Sequence, residues 1–212
     1  MSSITHHPDV STLMTCSAGS QPEALCAVVA SHLSMCSSCM EELGQMEQIG
    51  VSLFERLPAA QVANWSAVFQ DLPQSETRKQ TDAPDLDGAD VPTPLICVLG
   101  PRLDDLSWEL AAEGIWQCVV PLTPGAKGDL RLIKLAPGKY LPRHGHKGEE
   151  LTILLRGGYT DDLGTFKRGD FSDLDDDVEH ELKADATDGC ILLIASENRP
   201  QFVDALASAQ SH

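Results

Sequence analysis

A short segment near the N-terminus carries three side chains whose types and spacing suit a metal ion. His32, Cys36 and Cys39 form a His-x3-Cys-x2-Cys pattern. If the first part of the segment is helical, His32 and Cys36 lie one turn apart on the same face. Tetrahedral Zn²⁺ in proteins takes four nitrogen or sulfur ligands. Either histidine of the pair His6-His7 can supply the fourth ligand, so the pattern predicts a zinc site.

Two simpler interpretations exist for this cysteine pair. The thiols could be reduced core side chains that happen to lie near a buried histidine, or they could form a redox-active Cys-x2-Cys pair. A histidine at helical spacing from Cys36, together with the additional histidines near the N-terminus, favours zinc over both.

A second group of potential ligands lies in the middle of the chain. His144 and His146 are two residues apart, so on a strand their side chains point to the same face. Glu150 enters the next predicted strand, and His180 follows Gly169 further along the chain. Three imidazoles and one carboxylate suit Zn²⁺, Fe²⁺, Mn²⁺ or Ni²⁺ and leave room for another ligand. The alternative is that the first two histidines are surface loop residues unrelated to His180.

The composition restricts the classes of function. The chain has 212 residues, a formal net charge of −17 and a pI of about 4.6, whereas nucleic-acid-binding domains are basic. Direct contact with DNA or RNA is therefore not expected. The seven cysteines show no regular framework, which favours a reducing compartment over a disulfide scaffold. There is no signal-peptide pattern, and the longest apolar run, 190–195, is too short to cross a bilayer. A cytoplasmic location is expected, with no membrane partner.

Residues 1–72 are predicted to form a small helical domain that a metal ion would stabilise. Apolar residues at helical spacing predict four helices: Pro8–Ala18, a helix that starts at Pro22, Cys39–Leu57 and Ala59–Leu72. The fourth carries a broad apolar stripe of Val62, Trp65, Val68, Phe69 and Leu72. This stripe could close the core of the domain or dock into another protein. Seven acidic residues against one basic residue up to Leu72 predict that any partner surface is basic.

Residues 73–94 are polar, rich in proline and poor in aliphatic residues, which predicts a linker between two domains that need not hold a fixed orientation. Residues 95–205 show short β-prone runs separated by turns: Trp116–Val120, Leu130–Leu135, Leu151–Leu155, strands at Phe166 and Phe171, and Ile191–Ile194. Turns are predicted at Thr123-Pro-Gly-Ala, Ala136-Pro-Gly-Lys and Arg156-Gly-Gly. The predicted fold class is α+β with two domains, a zinc-bound helical domain followed by a small β jelly-roll barrel.

Both groups of ligands resemble motifs of known families. The segment from Gly138 to Gly157 resembles the first cupin motif at every glycine, histidine and glutamate position, and Gly169 to His180 resembles the second in its spacing. The N-terminal histidines with His-x3-Cys-x2-Cys resemble the zinc-binding anti-sigma domain. An anti-sigma domain of this kind joined to a C-terminal cupin domain is the arrangement of the ChrR family, and the resemblance covers nearly the whole chain.

The resemblance implies specific ligands and contacts. It implies structural zinc on His7, His32, Cys36 and Cys39, with His7 preferred because it occupies the second place of the histidine pair. In the cupin domain it implies zinc or another divalent transition metal on His144, His146, Glu150 and His180. It also implies that the N-terminal helices, including the apolar stripe of the fourth, insert between domains of a sigma factor.

The function implied by the family is that of a cytoplasmic anti-sigma factor. Such a protein inhibits an extracytoplasmic-function sigma factor and releases it in response to singlet oxygen or a related oxidant sensed through the cupin domain. No residue is assigned a catalytic role. Two alternatives stay open: a cupin-type metalloenzyme, a dioxygenase or isomerase with a helical zinc-binding appendage, and a zinc-dependent scaffold without a sigma partner.

Overall fold

The computed structural model describes residues 4–58, 87–145, 148–174 and 179–198. Three N-terminal helices lie in the first of these ranges: α1 (Val10–Ser17), α2 (Glu23–Leu33) and α3 (Ser37–Phe54). Short helical turns follow at Thr93–Leu95, Ile96–Leu99 and Leu103–Asp105. The predicted helix Ala59–Leu72 and most of the predicted linker lie outside the described residues.

Local sequence signals account for the ends of these helices. Asp9 caps α1, because its carboxylate accepts a hydrogen bond of 2.8 Å from the backbone N–H of Thr12. Helix α2 begins directly after Pro22, as predicted. Helix α3 begins at Ser37, two residues before its predicted start, because Cys36 adopts an extended conformation and serves as the N-cap. This start places Cys36 at the N-cap and Cys39 in the first turn of the helix.

The rest of the described chain is an antiparallel β-structure. Its strands are: β1 (Glu109–Ala112), β2 (Ile115–Val119), β3 (Asp129–Leu135), β4 (Tyr140–His144), β5 (Glu150–Asp161), β6 (Gly164–Lys167), β7 (Phe171–Leu174), β8 (His180–Ala184) and β9 (Cys190–Ser196). Within the described residues the strand order is β1-β2-β3-β9-β5-β8-β4, and β6 and β7 both pair with β5. This curled sheet is a cupin-like barrel, which confirms the predicted fold class.

The predicted turn at Arg156-Gly-Gly is wrong, because β5 runs through it. The first half of β5 pairs with β7 and β9, and the second half pairs with β6 and β8. A register shift between Leu154 and Arg156 marks the bend between the two halves. Gly157 has a φ of +77° and lies so close to the backbone of Gly189 that no side chain fits there. The glycines therefore let one strand bend from one sheet into the other.

The central strands have an apolar core on each side, and the two cores are separate. In β9, Ile191, Leu193 and Ala195 belong to one core, whereas Cys190 and Leu192 belong to the other. The first core also contains Leu13, Leu25, Val28 and Val29 of the helices, and the second fills the barrel. Helix α2 packs against β5 and β9. Alternate side chains of a central strand thus pack against the helices outside the barrel and against other barrel residues inside it.

Polar contacts join the same two parts of the chain. The hydroxyl of Thr12 donates to Asp173 at 2.6 Å, and the side-chain amide of Gln21 donates to Glu149 at 3.2 Å. The sequence predicts two domains that need not hold a fixed orientation. In the described part of the chain, helices and barrel instead share one core. Val91, inside the predicted linker, is also buried in that core. The exact boundaries 1–72, 73–94 and 95–205 stay a prediction.

No single helix in the described ranges is long and apolar enough to cross a membrane. Helices α2 and α3 taken together pass that test by length and composition, but they are bent by 118° at the break between them.

We predict that Leu25→Ala destabilises helices and barrel together. Leu25 is fully buried in the core that α2 shares with the sheet, so its truncation should lower the free energy of unfolding by about 2–5 kcal/mol. Urea unfolding followed by far-ultraviolet circular dichroism and by tryptophan fluorescence should show one shifted transition. Ile49→Ala, at a side chain that is 63% exposed, should change stability by no more than about 0.5 kcal/mol. Two separate transitions, with only the helical one shifted, would contradict the shared core.

Candidate metal centres

The N-terminal helices bring four predicted ligands together. His7, His32, Cys36 and Cys39 each offer one ligand atom, and these atoms lie within 4.8 Å of one another. His32 comes from the last turn of α2, and the cysteines come from the start of α3. His32 and both cysteines are buried. The sharp bend between α2 and α3 thus aims three side chains at one point, and the segment before α1 adds His7.

The spacing of these atoms fits a tetrahedral zinc ion. Zn–S bonds of about 2.3 Å and Zn–N bonds of about 2.0 Å place neighbouring ligand atoms about 3.5 Å apart in a tetrahedron. Nδ1 of His7 lies 3.5 Å from Sγ of Cys36 and 3.2 Å from Sγ of Cys39. Nε2 of His32 lies 3.3 Å from Sγ of Cys39. These separations and the two-nitrogen, two-sulfur donor set match a closed zinc site.

A backbone carbonyl fixes the tautomer of His32. Nδ1 of this ring lies 2.9 Å from the carbonyl oxygen of Gly169, which can only accept a hydrogen bond. Nδ1 therefore carries the hydrogen, and the lone pair of Nε2 faces Cys39. Burial lowers the pKa of His32 to about 4, despite the opposing effect of the Gly169 carbonyl. The imidazole is thus neutral at physiological pH, which is the form that binds metals.

The two thiols have different electrostatic surroundings. Burial acts to raise the pKa of Cys36, but hydrogen bonds from Ser38 and Cys39 outweigh it and lower the pKa. Burial, followed by the hydrogen bond with Cys36 and its charge, raises the pKa of Cys39 to about 12. A divalent cation favours the thiolate form of both, so its binding would release the proton of Cys39.

His6 has a different place from His7. Its ring stacks on Phe166 at a centroid distance of 4.2 Å, and its Nδ1 lies 3.4 Å from a carboxylate oxygen of Asp170. His6 therefore contacts the barrel, whereas His7 turns toward the cysteines. The preference for His7 among the predicted ligands agrees with this placement, and the identity of a bound ion stays a prediction.

A second cluster lies in the barrel. His144 at the end of β4, Glu150 at the start of β5 and His180 at the start of β8 each offer a ligand atom within 4.8 Å of the others. All three side chains are buried. The rings of His144 and His180 have centroids 4.7 Å apart, and Nε2 of His144 lies 3.9 Å from Oε1 of Glu150. The fourth predicted ligand, His146, lies outside the described residues.

The chemistry of the barrel cluster suits a divalent transition metal. The carbonyl of Pro142 accepts a hydrogen bond of 2.8 Å from Nδ1 of His144, so the lone pair of Nε2 faces Glu150. Asp161, whose side chain is fully buried, places a carboxylate oxygen 3.6 Å from Nδ1 of His180. Two imidazoles and a carboxylate form a mixed nitrogen and oxygen donor set that fits Zn²⁺, Fe²⁺ or Mn²⁺.

Sequence reasoning did not find three residues that support these clusters. Asp161 lies beside the barrel cluster because β5 pairs with β8, a register that local sequence does not reveal. Gly169 contacts His32 and Asp170 contacts His6, and in both pairs the partners are more than a hundred residues apart in sequence. The sequence offers one signal for these contacts, the glycine at position 169, but its spacing to His180 points only to the barrel cluster.

Comparisons with known proteins agree with this architecture. Residues 100–199 match the family model described as the ChrR cupin-like domain. The anti-sigma-E factor ChrR of Cereibacter sphaeroides is 33% identical over 201 residues, which cover 94% of this chain and 92% of that protein. This chain belongs to the ChrR family.

A solved structure extends the family relationship to three dimensions. A chain in the crystal structure of Rhodobacter sphaeroides SigE in complex with the anti-sigma ChrR superposes with a TM-score of 0.77 and 32% sequence identity. The match covers 92% of this ChrR-family chain and 100% of the other. It therefore includes both the helices and the barrel.

We predict that Cys39→Ser removes metal from the N-terminal site alone. Cobalt(II) replaces zinc in such sites, and its bonds to thiolates give near-ultraviolet charge-transfer absorption that the sulfur-free barrel cluster does not produce. The full chain should show this absorption, and Cys39→Ser should lose most of it because one of two thiolates is gone. Metal analysis of the zinc-loaded protein should fall by one equivalent.

Cys97→Ser is the matched control, because Cys97 is an exposed thiol remote from both clusters in sequence. This variant should keep the full absorption and metal content. An unchanged cobalt spectrum in Cys39→Ser would refute the assignment of the site.

Proposed function

We propose that this protein is an anti-sigma factor that binds an extracytoplasmic-function sigma factor and holds it inactive. The single observation that carries the proposal is the match over nearly the whole chain to ChrR, whose structure was solved in complex with the sigma factor SigE. Because the match includes both helices and barrel, it supports a regulator that works through protein contact rather than an enzyme. A cytoplasmic location follows from the same proposal, since sigma factors act on RNA polymerase.

The helical region offers a surface suited to such a partner. The second half of α3 and the residues just after it expose large apolar side chains: Ile49, Val51, Leu53, Phe54 and Leu57. Several large apolar side chains exposed at one end of a helix are typical of a site where another protein docks. Acidic residues Glu41, Glu42 and Glu47 on the same helix would favour a basic partner.

The sequence-predicted contact stripe supplies a second set of candidate contacts. Val62, Trp65, Val68, Phe69 and Leu72 lie outside the described residues, and we propose them as sigma contacts on the basis of their apolar spacing and the family resemblance. Aromatic residues are frequent at the energetic centre of interfaces, so Trp65 is the strongest candidate among them.

The N-terminal metal site would have a structural role. We assign zinc to His7, His32, Cys36 and Cys39, because a complete set of four protein ligands gives the ion no open position for chemistry. The ion would connect the segment before α1 with α2 and α3, and so it would fix the mutual orientation of the helices that carry the docking surface.

The barrel would contain the sensor. We propose that His144, His146, Glu150 and His180 hold a divalent transition metal, with zinc as the first candidate. Imidazole rings are targets for singlet oxygen, and oxidation of a ligand would disturb a buried site. The sensed stimulus would then be singlet oxygen or a related oxidant, and release of the sigma factor would follow from a changed contact between barrel and helices.

We predict that Phe54→Asp weakens sigma binding by at least about 30-fold, the effect of losing a central apolar anchor. Phe54 is 75% exposed at the end of α3, so the change should leave the fold intact. The measurement is titration of the purified chain against the sigma factor, together with inhibition of transcription by reconstituted RNA polymerase. Trp65→Ala tests the predicted stripe in the same assay.

Leu163→Asp is the control, because Leu163 is also an exposed apolar residue but lies on the barrel turn between β5 and β6. It should bind the sigma factor as the unmodified chain does. Equal binding by both aspartate variants would place the partner elsewhere, and no binding by the unmodified chain would overturn the proposed function.

We predict that His180→Ala separates sensing from inhibition. The substitution removes one buried ligand of the barrel cluster and leaves the exposed face of α3 unchanged. Illumination with a photosensitiser should release the sigma factor from the unmodified complex, and release from His180→Ala should slow by about 10-fold or more. His212→Ala, which removes a histidine that is not among the predicted ligands, should respond normally. Release at the normal rate from His180→Ala would place the sensor outside this cluster.

A further inference from the structure

A short turn of the barrel lies against the N-terminal metal site. Residues 168–170 connect β6 to β7, and the backbone carbonyl of Gly169 accepts the hydrogen bond from Nδ1 of His32. Hydrogen bonds of this kind orient metal-binding histidines and raise their basicity. One ligand of a site formed by the helices is therefore held by the backbone of the barrel.

The next residue of the turn holds the segment that carries a second ligand. Oδ1 of Asp170 accepts hydrogen bonds from the backbone N–H groups of Thr5 at 2.6 Å and His6 at 3.1 Å. The carbonyl of His6 in turn accepts a hydrogen bond of 3.1 Å from the N–H of Phe171. His7 follows directly, so its backbone position is set by contacts with β7 and the turn.

The carboxylate of Asp170 is built into this position. Its side chain is fully buried, and its other oxygen accepts a hydrogen bond of 2.8 Å from the N–H of Lys167. A buried carboxylate is stable only when its oxygens are hydrogen-bonded, and here the chain before α1 and the turn both supply donors. Loss of these acceptors would leave the N–H groups of Thr5 and His6 without their partner.

Gly169 allows the close approach of the N-terminal segment. Its φ is +92°, and a Cβ atom at this position would lie 2.7 Å from Cδ1 of Ile4. Only glycine adopts this backbone conformation readily and leaves room for the isoleucine. The turn is therefore shaped to receive residues 4–6.

Contacts inside the barrel connect this turn with the second metal cluster. Phe166, just before the turn, stacks on Tyr159 at 4.4 Å inside the barrel and on His6 at 4.2 Å on the other side. Asp161 ends β5 two residues beyond Tyr159 and lies 3.6 Å from His180. Stacked rings and one shared strand, on which Tyr159 and Asp161 point to the same face, thus connect the barrel cluster to the N-terminal segment.

We propose that the 168–170 turn is an integral part of the N-terminal metal site, with Asp170 as a positioning residue, and that it transmits the state of the barrel to the sigma-binding helices. The first half rests on the contacts of the turn, and the second half rests also on the proposed function. Two of the four ligands depend on one barrel turn, so a displacement of that turn would disturb both at once. Because coupling between two sites is reciprocal, metal at the N-terminal site must also stabilise the turn.

Asp170→Asn tests the positioning role, since the amide keeps the size of the side chain but replaces one acceptor oxygen with a donor. The full chain is loaded with cobalt(II), and transfer of cobalt to excess EDTA is followed by the thiolate charge-transfer absorption, which reports the N-terminal site alone. We expect release to be about 10–100-fold faster than from the unmodified chain, the usual effect of changing a residue that orients a ligand. Release at the unmodified rate would overturn the proposal.

Asp173→Asn is the matched control. Asp173 lies on β7, and its carboxylate accepts a hydrogen bond from the hydroxyl of Thr12, so it joins barrel and helices at α1 rather than at the segment that carries His7. The control should release cobalt at the unmodified rate. Equal acceleration in both variants would show a general loosening of the interface and would also overturn the specific role of Asp170.

A second measurement does not depend on the folding of the Asp170 variant. Hydrogen exchange of the zinc-loaded chain is compared with that of Cys39→Ser, with attention to the N–H groups of Thr5, His6, Lys167 and Phe171. Loss of metal should speed exchange at these positions about 10-fold or more, whereas β1 and β2 should be unaffected. Unchanged exchange at the turn would refute the coupling. No sigma factor is present in either experiment, so a failure here and a failure of sigma binding are distinguishable.

Discussion

The structure depends on the burial of both faces of its central strands. Helix α2 covers the outer face of β5 and β9, and barrel side chains fill the inner face. A strand covered on both faces needs apolar residues at successive positions rather than in alternation, and 190–195 is such a run. The position of α2 on this sheet in turn determines where His32 and the start of α3 lie, so the N-terminal metal centre is positioned by the core that the helices share with the sheet.

The two metal centres differ in ways that match different roles. The N-terminal centre combines two thiols and two imidazoles in a closed arrangement, buried except for His7, that is suited to holding helices together. The candidate barrel centre offers two buried imidazoles and a buried carboxylate, a harder donor set than one with thiolates. A closed set of four ligands is typical of a structural zinc site, whereas a mixed nitrogen and oxygen donor set also occurs in sites that bind a further ligand. Both lie at strand or helix ends, where the backbone of neighbouring elements approaches closely.

Much of this arrangement was predictable from local sequence. The ligand spacing at His32, Cys36 and Cys39 and the strand that Glu150 enters are both short-range patterns, and the structure places them as predicted. The bend at Gly157 was misjudged, because two glycines in succession are typical both of a turn and of a strand that changes sheets. Asp161, Gly169 and Asp170 were missed because their partners are distant in sequence, and only the strand register brings them together.

The apolar run of β9 makes the barrel depend on the N-terminal helices that cover it. If the N-terminal helices were cut away, Ile191, Leu193 and Ala195 would lose the side chains that now cover them. A newly bared strip of aliphatic residues attracts chaperones, proteases and other strips like it. The barrel thus depends on the helices to keep this apolar strip out of water. Cleavage of the chain between helices and barrel, followed by loss of the helices, would therefore expose this strip to solvent.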